Sequence, residues 1–241
     1  MASATLPAAR RAALDALASD LLTIFGPRLR SLSAYGLGAD EAETHTIALV
    51  DHLSFDDLAA CAPRTRGWLH RGLAVPLILH ADEFARSLDV FPLEYGAIIA
   101  DHVVIYGDDL FKDVSVSEQD RRRGCELQAK SHLIHLRESF LETHGEPRAV
   151  ARMIGASAES FRRLLDNLGV LVRPAAAHGS AHADLADDAE RFVGVPAALT
   201  RDVLAAGTAG SPTTIADPTA LLARYIDAVE DIWAFVDRWK R

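Results

Sequence analysis

The chain has 241 residues, enough for one large or two modest hydrophobic cores, and its 49% hydrophobic and 24% charged residues place it among globular rather than disordered chains. A formal net charge of -9 sets long-range repulsion against DNA and anionic membrane, so neither is an expected partner without a local basic patch. The two cysteines, Cys61 and Cys125, lack the spacing of a zinc site and read as reduced thiols of a cytoplasmic protein.

Near the N-terminus, Arg10 and Arg11 precede an apolar stretch broken by Asp15 and Asp20, a pattern that fits neither a signal peptide nor a transit peptide. No apolar run approaches membrane-spanning length. Leu14, Leu17, Leu21, Ile24 and Phe25 recur at helical spacing, and Gly26-Pro27 ends that helix because proline cannot continue it. A strand is predicted from Leu29 to Tyr35, followed by the turn Gly36-Leu37-Gly38 and a second strand from about His45 to Asp51. Ser54-Phe55-Asp56-Asp57 has the form of a capping box opening a helix toward Trp68. A third strand is expected around Ala74 to Leu79, where Pro76 suits an edge or a strand start. A short helix near Asp82, another opening at Pro92 and a fourth strand from Val103 to Tyr106 complete a small mixed sheet, expected to carry its helices on one side.

The pattern changes near residue 115. Beyond it every periodic segment is helical, so the expected organisation is α+β: residues 1–115 forming a mixed-sheet domain and residues 116–241 an all-α bundle. One long helix runs from Ser117 to about Thr143, with Leu127, Ile134 and Leu141 on one stripe and Leu133, Leu136 and Phe140 beside it. The run Arg121-Arg122-Arg123 reads as its solvated face. Phe161, Leu164, Leu165 and Leu168 mark a second helix after Ser157, and Arg173 to Ala183 reads as a flexible connection. The last helix starts at Asp217-Pro218 and places Leu222, Tyr225, Val229, Ile232, Val236 and Trp239 at alternating steps of three and four. Such a seam packs within the chain or across a homodimer.

The succession of helix, strand ending in Tyr35-Gly36, second strand, helix, third strand and helical C-terminal part resembles the minimal nucleotidyltransferases of the polymerase-β superfamily. Phe91-Pro92-Leu93-Glu94, then Tyr106-Gly107-Asp108-Asp109-Leu110 and the arginine-rich helix, is similar to bacterial nucleotidyltransferase-like proteins. The resemblance covers nearly the whole chain in element order and rests on short motifs. It implies a Gly-Ser turn holding nucleotide phosphate, and a second strand with two acids separated by one position. Strand side chains two apart project together, so such a pair binds the same two Mg²⁺ ions, which neutralise phosphate and orient the attacking hydroxyl.

This sequence departs from that pattern at the chemistry. Leu37 stands where the resemblance implies serine, and His45 and Ile47 stand where it implies the two carboxylates. Isoleucine cannot ligate a hard cation. The expectation is therefore a degenerate, non-catalytic nucleotidyltransferase-like protein with no resident cofactor, which binds a nucleotide through Tyr35, Gly36, Leu37, Gly38 and His45, or binds a protein partner. The alternative is an active Mg²⁺-dependent enzyme moving a nucleoside monophosphate to a small molecule, tRNA or protein hydroxyl, with displaced acids serving the metal. Its candidates are Glu41 and Glu43, which with Asp40 otherwise form a solvated acidic loop, then Asp51 at the far end of the strand, and Glu94, which a helix N-terminus favours for its dipole alone.

The histidine pairs His132/His135 and His178/His182 have no matching carboxylate or cysteine and read as surface residues. Arg137 and His144 are separated by six residues, Glu138 to Thr143, a spacing that resembles the HEPN ribonucleases, helical toxins found beside minimal nucleotidyltransferases. That is the second alternative. Dinucleotide-binding, Walker, nucleophile-elbow and HExxH motifs do not occur in the sequence.

Overall fold

The computed structural model describes residues 6–37, 43–173, 182–208 and 215–239. Two compact units divide the chain, Met1–Ser117 and Glu118–Arg241, and the protein is α+β: a four-stranded mixed sheet with helices in the first unit, helices in the second.

In the first unit, helix α1 (Ala8–Phe25) buries Leu14, Leu17, Leu21 and Phe25, spaced so that they share one face. Gly26, at φ 55°, ends it and begins a tight turn through Arg28. Strand β1 (Leu29–Tyr35) follows, then β2 (His45–Val50). Helix α2 (Phe55–Cys61) opens on the full capping box: Asp57 N–H donates to Ser54 Oγ, and Ser54 N–H donates back to the Asp57 carboxylate at 2.9 Å. The same carboxylate takes a two-pronged ion pair from Arg28 at 2.9 and 2.8 Å, which fastens α2 to the turn before β1 and holds Asp57 well below the usual carboxylate range.

Helix α3 (Thr65–His70) carries Trp68, whose indole N–H donates to Asp20 of α1 at 2.9 Å, while Arg64 pairs with the other oxygen at 2.6 Å. Strand β3 (Leu77–His80), short helices α4 (Ala81–Arg86) and α5 (Pro92–Ala100), and β4 (His102–Gly107) complete the unit.

The strand order is β3-β2-β1-β4, with β1 antiparallel to both β2 and β4 and β3 parallel to β2. The helices do not lie on one side of this sheet. Leu32, Ala34, Ala48 and Val50 face α1 and Trp68, whereas Ile47 and Leu49 face Phe84 of α4, Tyr95 and Ile98 of α5, and Phe111. The physical reason is the composition of β2: Ile47, Ala48, Leu49 and Val50 are an unbroken apolar run, so neither face of that strand can be left in water.

In the second unit, α6 (Glu118–Glu142) and α7 (Pro147–Val172) are joined by a turn in which His144 takes φ 53° and Gly145 φ 75°. Helix α7 begins ten residues before the predicted Ser157 start, because Pro147 sits at its first turn and Val150 and Ile154 extend the buried face. Helices α8 (His182–Val193), α9 (Ala197–Thr208) and α10 (Pro218–Arg238) follow, the first two unpredicted. Most of the predicted connection at 173–183 lies outside the described residues; Arg173 caps α7 and pairs with Asp188 of α8.

Leu222, Tyr225, Val229, Ile232 and Val236 are all buried, so the seam of α10 packs within the chain, against α6, α7 and α9. On α6 the packing face is Leu133 and Leu136, whereas Leu127, Ile134 and Leu141 are exposed. Arg122 is not simply solvated: it pairs with Glu126 at 2.8 Å and donates to the Val236 carbonyl near the end of α10. Among the described residues, no helix is long and apolar enough to cross a membrane.

Candidate functional site

At the end of the sheet beside the β1–β2 connection, ring side chains from three strands come into register. Tyr35 is in register with His45 of β2 on one side and His102 of β4 on the other, so an imidazole, a phenol and a second imidazole form a row across three strands. The Tyr35 and His45 rings lie 5.7 Å apart between centroids. Gly36 follows at φ 67°, where an added side chain would find open space but an unfavourable backbone, and its N–H donates to the Asp101 carbonyl at 3.4 Å. Leu37 is half-buried against the α1 side of the core, an apolar contact in place of a phosphate ligand. Gly38, Asp40 and Glu41 lie outside the described residues.

Successive side chains of a strand point to opposite faces, so His45, Ile47 and Leu49 share the face covered by α4 and α5. Ile47, at the position of the second expected carboxylate, is 0% exposed and packed with Phe84 and Tyr95. The place where a second metal-binding carboxylate would stand is therefore hydrophobic core. The remaining acids are dispersed. Glu43 is exposed ahead of β2, and Glu94 is exposed in the first turn of α5. Asp51 lies beyond the opposite end of the ladder, held by Arg30 at 2.9 Å. No cluster of three or more His, Cys, Asp or Glu side chains that could hold a metal occurs among the described residues, and on β2 itself His45 and Ile47 do not fit a paired Mg²⁺ centre.

Two residues enter the site that motif reading passed over or left without a role. His102 Nδ1 lies 3.1 Å from the Ile99 carbonyl of α5, and its Nε2 lies 3.1 Å from Asp109 Oδ1. That oxygen also accepts from the Phe111 N–H at 3.1 Å, and the Phe111 ring meets the His102 ring edge-on at 4.9 Å. The signal was weak because a histidine beside Asp101 at the start of a strand belongs to no spaced motif; only the register opposite Tyr35 gives it meaning. Under the same face of β1, the hydroxyls of Ser31 and Ser33 are buried without a hydrogen-bond partner.

In the second unit, His132 is not a surface residue. Its side chain is buried between α6, α7 and α10, stacked on Phe161, with Nε2 2.6 Å from Tyr225 Oη. Burial, and to a lesser degree the neighbouring His135, hold this imidazole down to about 4, while burial pushes the Tyr225 hydroxyl up. At neutral pH the pair is therefore a phenol donating to a neutral imidazole, supported by Ser157 on α7. His135 is exposed beside Glu138.

Arg137 is engaged with Glu230 of α10 at 3.2 Å, and His144 stands in the turn after α6. His178 lies outside the described residues, as does the side chain of His182. A cavity of about 380 Å³ between α9 and α10 is lined by Asp202, Asp217 and Arg224 among apolar residues, with Asp217 spent on capping α10. Cys61 and Cys125 are buried free thiols, and burial pushes Cys125 up to about 12.

No protein-family model matches the chain, and no curated protein matches it significantly.

Proposed function

We propose that this chain is a non-catalytic nucleotidyltransferase-like protein that binds a nucleotide at the Tyr35–Gly36–Leu37–Gly38 turn and His45 without a divalent metal. The observation that supports the reading is the burial of Ile47 under Phe84 and Tyr95. Two-metal transfer needs two carboxylates projecting from one strand into an open cleft, and this position supplies hydrocarbon covered by two helices. The row His45, Tyr35 and His102 supplies ring faces and polar edges at its rim, suited to stacking and hydrogen bonding rather than to metal-bridged phosphate.

Thermal unfolding with ATP or GTP, in chelator and again in Mg²⁺, tests this. The expected result is a nucleotide-dependent rise in midpoint that is the same in both; a ligand at a hundredfold excess over its Kd stabilises by about 2.7 kcal/mol. A rise that appears only with Mg²⁺ overturns the reading in favour of an active enzyme. No rise in either condition removes the nucleotide and leaves a protein partner as the ligand of this fold.

A further inference from the structure

The hydrogen bonding of His102 carries an inference independent of any nucleotide. Each ring nitrogen of a histidine is a donor only when protonated, and a neutral imidazole has one donor and one lone pair. Here both nitrogens face acceptors: Nδ1 the Ile99 carbonyl, Nε2 the Asp109 carboxylate, each at 3.1 Å. A neutral ring would direct a lone pair at one of these oxygens. The imidazolium alone satisfies both.

The contacts tie three pieces of chain at one point: the C-terminal turn of α5, the first residue of β4, and the segment after β4. That segment is also held by the Asp108 N–H donating to the Arg30 carbonyl at 3.2 Å and by Leu110 and Val114, which pack on the core around Phe111. Asp109 Oδ1 caps the Phe111 N–H, the Phe111 ring is 1% exposed against Phe84, and Val114 N–H closes back on the Phe111 carbonyl at 3.1 Å. We infer that His102 and Asp109 form a proton-dependent latch, which fastens residues 108–114 and their anchor Phe111 over the α5 face of the sheet when the imidazole is charged and loosens them when it is neutral.

The charged and titratable surroundings leave Asp109 as the acidic partner. Tyr35 lies across the ladder on β1, with His45 beyond it, and Asp101 adjoins His102 in the chain. Arg30, which interacts with Asp108, is engaged with Asp51; Glu94 is at the opposite end of α5; Asp82 and Glu83 of α4, and Lys112 and Asp113 of the segment itself, are exposed. The latch closes when the imidazole gains its second proton and opens when it loses it, because only the doubly protonated ring donates to both oxygens.

Hydrogen exchange of the full chain at pH 5.5 and pH 8, corrected for intrinsic rates and referred to the α1 amides, tests it. In the wild type, the amides of 110–114 are expected to be protected about tenfold more at pH 5.5, the scale of one hydrogen bond to a charged group. His102→Gln and Asp109→Asn, the latter keeping the oxygen that caps Phe111, should each abolish the difference. Equal protection at the two pH values in the wild type, or a wild-type pH response in Asp109→Asn, overturns the latch; if His102→Gln does not fold, Asp109→Asn decides alone.

Discussion

Gly107 shows how narrow a single position can be. At φ 78° it sits in the left-handed region, and a Cβ there would stand 2.0 Å from the Arg30 carbonyl oxygen of the neighbouring strand. The adjoining residues cannot yield, because Asp108 N–H donates to that same oxygen at 3.2 Å. Gly107→Ala therefore incurs both the backbone penalty and a clash with main chain, and is expected to lower unfolding stability by roughly 3 kcal/mol or more in a denaturant titration, a cost set by backbone strain and overpacking. Gly36 is the contrasting case: it too has positive φ, at 67°, but nothing lies within 4 Å of its absent Cβ. The sequence presents both as turn glycines. Which one is immovable depends on where a neighbouring strand passes.

Among the elements, the crossing of α7 and α9 is closer than side chains normally permit. A Cβ on Gly155 would meet the Ala206 carbonyl oxygen at 2.8 Å, and one on Gly207 would meet Ala158 Cβ at 2.5 Å. Gly155→Ala gains about 1 kcal/mol of helix propensity yet forces the two helices apart, an overpacking cost of roughly 1–3 kcal/mol. Because the atom met is a main-chain oxygen, the second effect wins: the variant is expected to be less stable than the wild type, by up to about 2 kcal/mol, by denaturant midpoint at unchanged m-value. A result more stable than the wild type would show that the crossing relaxes freely.

The elements were unequally legible. Helix α1, the strands β1 and β2, the capping box at Ser54 and the seam of α10 follow from spacing because each is long or carries a local signal. Helices α8 and α9 were missed although Leu185, Ala186 and Ala189 in one and Leu199, Val203 and Leu204 in the other are buried; each helix has only 12 residues, about half the length of α6 or α7.

At the scale of the molecule, the buried network of His132, Tyr225 and Ser157 links α6, α7 and α10, and makes stability depend on pH. His132 is held down to about 4 in the folded state, whereas an unfolded histidine titrates near 6.5. Between those values the unfolded chain binds a proton that the folded chain excludes. Stability is therefore complete above about pH 6.5, falls as pH drops toward 4, and loses nothing further from this group below that; the loss reaches about 3 kcal/mol at most. Urea titrations across this range should show a steeper slope in the wild type than in His132→Leu, whose remaining slope comes from depressed carboxylates such as Asp57. That leucine variant is also expected to be less stable at pH 7, since it leaves the Tyr225 hydroxyl buried without its acceptor. A wild type whose stability is flat from pH 6.5 to 4 would contradict the buried neutral imidazole.

The sequence by itself determined the α+β class, most element positions, and the absence of paired carboxylates at His45 and Ile47, since periodicity, caps and side-chain chemistry are local properties. Tertiary structure alone decided that the sheet is covered on both faces, that His132 lies in the helical core, that Leu127, Ile134 and Leu141 are left exposed, and that His102 meets Asp109 beside Tyr35. The reason is the same in each case. Burial and hydrogen bonding are set by which surface arrives opposite a residue, and strand register and helix packing bring together residues that no spacing along the chain connects.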